Sequence, residues 1–145
     1  MKATKMNFIF SLLRAMAFCF VTFSSFPAAA QNVSQETLSW QADQVTDLQT
    51  NASVSMKCIF KTIGDGQVEW IQKNGTLKTT YNVTTAQGSW SNISQPGTIT
   101  YTLARNGKTF KMILERSGPD ITVTLDFSKA GEFTAVRRFR IVSVE

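Results

Sequence analysis

From residue 98 to residue 127, apolar side chains recur at every second position in three successive runs, the period of a strand with one buried face. Asn106-Gly107 separates the first two runs. That dipeptide favours a type I′ turn, which needs positive φ at both central residues. A two-residue turn there sets Leu103 opposite Phe110, Tyr101 opposite Met112 and Ile99 opposite Leu114. A turn across 117–120 then sets Leu114 opposite Val123, Met112 opposite Leu125 and Phe110 opposite Phe127. All these residues share one face, and a slip of one residue would move the whole set into water.

The same reading extends along the chain. A first strand is predicted over 38–45 around Trp40, followed by a polar stretch over 43–53 that reads as a loop or a poor edge strand. Alternation returns with Val54, Met56, Cys58 and Phe60, and Gly64-Asp65-Gly66 turns the chain. Asn74-Gly75 is a second type I′ signal; its register puts Val68 opposite Tyr81, Trp70 opposite Thr79 and Gln72 opposite Leu77. A short strand is expected over 87–93, centred on Trp90, before Gln95-Pro96-Gly97 turns into the three-strand block. A turn over 129–132 leads into a final strand over 133–144. There Phe139 and Ile141 fall on one face while Val136, Val142 and Val144 fall on the other, so either a bulge sits near Arg137 or both faces are partly covered.

No window beyond the first 30 residues shows helical periodicity. The expected fold class is all-β, an antiparallel meander of about eight or nine strands. Twist accumulates along such a meander and open edges invite aggregation, which favours a closed up-and-down barrel. A two-sheet sandwich is the second choice, since no long crossover connection of the Greek-key kind is visible.

The N-terminal stretch follows a different rule. Lys2 and Lys5 precede an apolar run over 15–26, and Ala28-Ala29-Ala30 supplies small residues for cleavage. This is the three-part pattern of a secretory signal peptide over 1–30, with a single domain over 31–145. The expected location is therefore periplasmic or extracellular, reached by the general secretory route, with no membrane segment left after cleavage. Phe18 stands before Cys19 where a lipoprotein needs a small residue, so no lipid anchor is expected. Loss of the leader also changes the charge balance. Of 15 basic residues, Lys2, Lys5 and Arg14 go with it, leaving 12 against 10 acidic, a net of +2 in place of +5. That is too even to argue for nucleic acid. The remaining 115 residues suffice for one core.

Candidate chemistry is sparse. The chain has no histidine, and Cys58 is the one cysteine beyond the leader. His-dependent dyads and triads, a closed zinc site and an intramolecular disulfide are thereby excluded. No metal site and no cofactor are expected, and no enzyme activity. Catalysis by carboxylates stands as a third, weaker reading. In the register above, Lys111 faces Asp126 across the sheet as an ion pair, and Glu69 and Glu115 point away from the apolar face. The sequons at Asn32, Asn51, Asn74, Asn82 and Asn92 carry glycans only in a host with that machinery.

Trp70, Tyr81, Tyr101, Phe110, Met112 and Phe127 all project inward. In a narrow barrel they are core; in a wider one they line a cavity for a small apolar ligand. Arg137, Arg138 and Arg140 form either a solvated face of the last strand or a patch for an anionic partner.

Gly88-Ser89-Trp90, followed by the strand over 97–103, resembles the small exported lipocalin-like (calycin-type) proteins, which combine Gly-x-Trp with short consecutive strands. In that family the motif opens the first strand; here Trp40 stands near the first predicted strand, with Leu38 in the place of the Gly. The resemblance covers the second half of the chain. It implies a barrel that holds small hydrophobic molecules, with Arg138 or Arg140 as the terminal arginine that packs on the Trp. The sequence thus leads to an exported non-enzymatic barrel binding a small apolar or amphipathic ligand in its interior. The alternative is an extracellular or cell-surface interaction module that uses the barrel as a scaffold for a protein or glycan partner.

Overall fold

The computed structural model describes residues 32–130 and 135–145. The expected leader over 1–30, the turn at Glu132 and the strand start at Phe133 lie outside the described residues. Eight strands follow in chain order: β1 (Thr37–Asp47), β2 (Ser53–Ile63), β3 (Gln67–Gln72), β4 (Leu77–Ser89), β5 (Gly97–Arg105), β6 (Lys108–Ser117), β7 (Asp120–Asp126) and β8 (Val136–Val144). Each is antiparallel to the next, and β8 returns to pair with β1, so the sheet closes into an up-and-down barrel. Closure removes the edges that a two-sheet arrangement would leave.

The register of β5, β6 and β7 is the one the alternation demands. Leu103 pairs with Phe110, Tyr101 with Met112 and Ile99 with Leu114. Leu114 pairs with Val123 and Met112 with Leu125. Asn106 and Gly107 have φ of 51° and 74°, the left-handed values a type I′ turn requires. Asn74 and Gly75 are also left-handed, and Thr76 N–H donates to the Lys73 carbonyl across them. Lys73 is left-handed too, so the β3–β4 ladder stops at Gln72 and Leu77, in the expected register.

Three readings are corrected. The segment 87–93 is not a separate strand: β4 runs unbroken to Ser89, and Trp90 opens the connection to β5. A bulge at Thr84, where Val83 pairs with Leu103 but Thr85 with Thr102, breaks the alternation that would have revealed the long strand. The polar stretch 43–53 is not mainly loop, because β1 reaches Asp47 and β2 starts at Ser53. Pairing with both neighbours shifts around Asp43, so the inward face passes from Trp40 and Ala42 to Val45. In β8 the irregularity is at Val142 rather than Arg137. Gln41 pairs with Ser143 and Ala42 with Ile141, leaving Val142 bulged out at 58% exposure. Phe139 and Ile141 are inward before the bulge, and Val144 packs on the core after it. Val54 shares the inward row of β2 but stands at its start, 60% exposed, where that row runs beyond the packed interior.

The two ends of the barrel differ. At one end a 3₁₀ turn over Val33–Gln35 lies across the opening, with Val33 buried and its N–H donating to the Trp90 carbonyl at 2.8 Å. Trp40 and Trp90 pack there with ring centroids 5.5 Å apart. Each indole N–H is satisfied, Trp40 Nε1 by Thr62 Oγ1 at 3.1 Å and Trp90 Nε1 by the Gln95 carbonyl at 2.8 Å. This end is plugged. The opposite end carries the turns after β1, β3, β5 and β7, and it is the mouth.

Candidate functional site

The aromatic layer below the mouth is built by alternation alone. Phe60 and Trp70 face each other on β2 and β3 and stack with centroids 5.6 Å apart at 18°. Phe139 of β8 meets both edge-on, at 4.9 and 5.9 Å. Tyr81 of β4 meets Phe110 edge-on at 5.0 Å, and Phe110 meets Phe127 at 4.7 Å. Edge-to-face and offset contacts of this kind add about 0.5–1.5 kcal/mol each beyond area burial.

Two cavities open above this layer. One, of about 340 Å³, lies between Tyr81, Arg105, Lys108, Phe110 and Phe127. The other, of about 190 Å³, lies between Trp70, Phe127, Ala135 and Arg137. Phe127 lines both, so the two lobes share one wall. The larger falls at the small end of the range for ligand pockets.

The six inward aromatic and Met residues divide between two environments. Trp70, Tyr81, Phe110 and Phe127 gather at the mouth. Tyr101 and Met112, each at 0% exposure, are packed in the core below. The Tyr101 hydroxyl is buried without a hydrogen-bond partner. Burial, with the Asp65 charge adding to it, pushes its pKa up to about 12. Tyr81 is also raised by burial, against the pull of Arg105, whose guanidinium carbon stands 6.0 Å from the ring centre. The Trp70 Nε1 atom is buried and makes no hydrogen bond of good geometry. Burial pushes the nearby Cys58 thiol up, with the Trp70 indole drawing it slightly back, so the thiol is an inert core group.

The three arginines of β8 do not act together. Arg137 shares the inward row with Phe139 and lines the smaller lobe of the mouth. Arg138 and Arg140 belong to the outward row. Arg140 is held by Asp43 in a bidentate pair at 2.9 and 2.7 Å, which lowers the Asp43 pKa and raises that of Arg140. Neither outward arginine shares a face with Trp90, which is buried in the core; the arginine that reaches its connection is Arg116, donating to the Ile93 carbonyl at 3.1 Å. Strict alternation puts neighbours 137 and 138 on opposite faces, and this splits the cluster.

Two cations of the mouth, Arg105 and Lys108, were not singled out from the sequence. Their signal was present: they flank Asn106-Gly107 and pair with each other, one step above Leu103 and Phe110 on the inward rows. A third space, about 460 Å³, is a groove on the outer wall beside Ile59, Ile71 and the bulged Val142. Elsewhere on the wall, Glu69 pairs with Lys78 at 2.8 Å. Asp126 stands opposite Lys111 and accepts the Ser128 N–H, and both contacts lower its pKa. Among the described residues no three His, Cys, Asp or Glu side chains come together as a metal site would require.

No protein-family model matches this chain, and no curated protein matches it.

Proposed function

We propose that the protein is an exported, non-enzymatic β-barrel that binds a small apolar or amphipathic ligand at its mouth. The observation that carries this is the convergence of Trp70, Tyr81 and Phe110 from three strands, with Phe127 just past the end of β7, around two cavities at the end opposite the plug. Binding at the mouth rather than deep inside follows from the packing of Tyr101 and Met112. The lipocalin-like resemblance fits this use of a barrel. The outward faces carry polar residues, Thr98, Thr100 and Thr102 on β5 and Thr122 and Thr124 on β7, where a lipid-facing band would be apolar; this supports a barrel standing in water.

N-phenyl-1-naphthylamine, a neutral probe that fluoresces in apolar sites, tests the reading. The protein should enhance its emission saturably, and Phe127→Ala, which removes the wall shared by both lobes, should weaken binding about tenfold with the far-ultraviolet circular dichroism unchanged. Absence of saturable enhancement, or an affinity indifferent to Phe127→Ala, would overturn it. The outer-wall groove, with Ile59, Ile71 and exposed Val142, supports the second reading of an interaction module.

A further inference from the structure

We infer that the ligand of the mouth is an amphipathic anion, its apolar part on the aromatic layer and its acid group held between Arg105 and Arg137. The inference rests on the mouth being a ligand site and adds the charge of the ligand. It comes from the register. On three strands the inward row continues, one step beyond its last buried residue, into a cation: Leu103 into Arg105, Phe110 into Lys108, and Phe139 into Arg137. These rows carry no register shift between the paired residues, so the three cations belong to the inward face. Each lines one of the two lobes, and no acidic side chain lines either among the described residues.

Among the described residues the nearest acid by register is Asp47, paired with Arg137 across the β1–β8 seam. Its carboxylate, one step past Val45, accepts the Gln49 N–H at 2.9 Å and the Thr50 N–H at 3.1 Å within its own turn, and these bonds, with the weaker pull of the Arg137 charge, lower its pKa. The outward arginine with a committed partner is Arg140, and it is not at the mouth. Guanidinium groups above an apolar floor suit a carboxylate or sulfonate, because each offers several N–H donors in one plane. Their charge also steers an anion toward the opening, an effect that weakens with salt.

The test uses two fluorescent probes of nearly the same shape. The anionic one is 1-anilinonaphthalene-8-sulfonate; the neutral one is N-phenyl-1-naphthylamine. The double variant Arg105→Gln with Arg137→Gln should lose about tenfold or more in affinity for the sulfonate and stay within about twofold for the neutral probe. Arg105→Lys with Arg137→Lys should recover part of the sulfonate affinity, since charge returns without the planar fork. Arg138→Gln, on the outer wall, should change neither. Equal loss for both probes, no loss for the sulfonate, or an equal effect of Arg138→Gln would overturn the inference while leaving the mouth as a site. If neither probe binds the unaltered protein, the reading of the mouth itself fails, and this inference with it.

Discussion

At the scale of single residues, Tyr101 shows how a polar atom fares in this core. Its ring lies on the inward row between Ile99 and Leu103, fully buried, and its hydroxyl has no partner. An unsatisfied buried hydroxyl gives the folded state no hydrogen-bond energy in return for losing water. Tyr101→Phe is therefore expected to leave stability unchanged or to raise it by up to about 1 kcal/mol, measured by urea unfolding. A loss of more than about 1 kcal/mol would show that the hydroxyl has a partner, such as a buried water. The raised pKa adds a pH signature. Folded Tyr101 titrates at about 12, while an unfolded tyrosine titrates near ~10. The folded state thus holds more protons in that window, so its contribution is fully present below about pH 10 and is lost as pH rises toward 12. Tyr101→Phe should flatten that alkaline decline, leaving the part due to Tyr81 and Cys58, both shifted in the same direction.

At the scale of elements, glycines separate two kinds of constraint. Gly107 sits at φ 74° in the β5–β6 turn, and a Cβ built there would meet nothing within 4 Å. Gly107→Ala should cost only the torsional penalty of a left-handed alanine, about 1–2 kcal/mol. Gly88 sits at φ 116° near the end of β4, and its Cβ would stand 2.3 Å from the Thr98 carbonyl oxygen. Gly88→Ala should therefore be at least about twice as costly as Gly107→Ala, since the β4–β5 backbone must move. Equal costs in chemical denaturation would show that this end of β4 yields freely. The two positions also mark what could be read from the chain. Around Gly107 every local signal agrees, so turn, register and buried face followed from the sequence down to single pairs. Around Thr84, Asp43 and Val142 an extra residue inverts the alternation, and a period-2 reading then reports a separate strand, a loop or a two-faced strand. The site was legible in the same uneven way. The aromatics followed from alternation, whereas Arg105 and Lys108 were passed over because charged residues beside a turn read as solvent-facing. Their inward parity appears only once the register is extended past the last apolar pair.

At the scale of the whole molecule, closure depends on one seam. Seven of the eight strand pairs join neighbours in sequence; β1 with β8 alone joins the ends of the fold. That seam carries two register shifts, whereas β5–β6 and β6–β7 carry none. Opening it would leave the meander intact, and it is the pair whose two strands no connecting turn holds together, so its opening is the least restrained. Native-state hydrogen exchange should show this. Amides that donate across the seam, Ser39 to the Glu145 carbonyl and Leu48 to that of Val136, should exchange through openings at least about 1–2 kcal/mol easier than the amides within β5 and β6. One shared opening energy for all of them would mean that the barrel closes as a single unit. The seam also bears on the mouth. Arg137 lines the smaller lobe from β8 and Trp70 lines it from β3, on the other side of the seam, so opening the seam would split that lobe. A ligand that needs both binds the closed form alone and stabilises it in proportion to its occupancy. Saturating 1-anilinonaphthalene-8-sulfonate should then slow exchange at Ser39 and Leu48 more than within β5 and β6. Uniform slowing would place the coupling in the barrel as a whole and not in its closing pair.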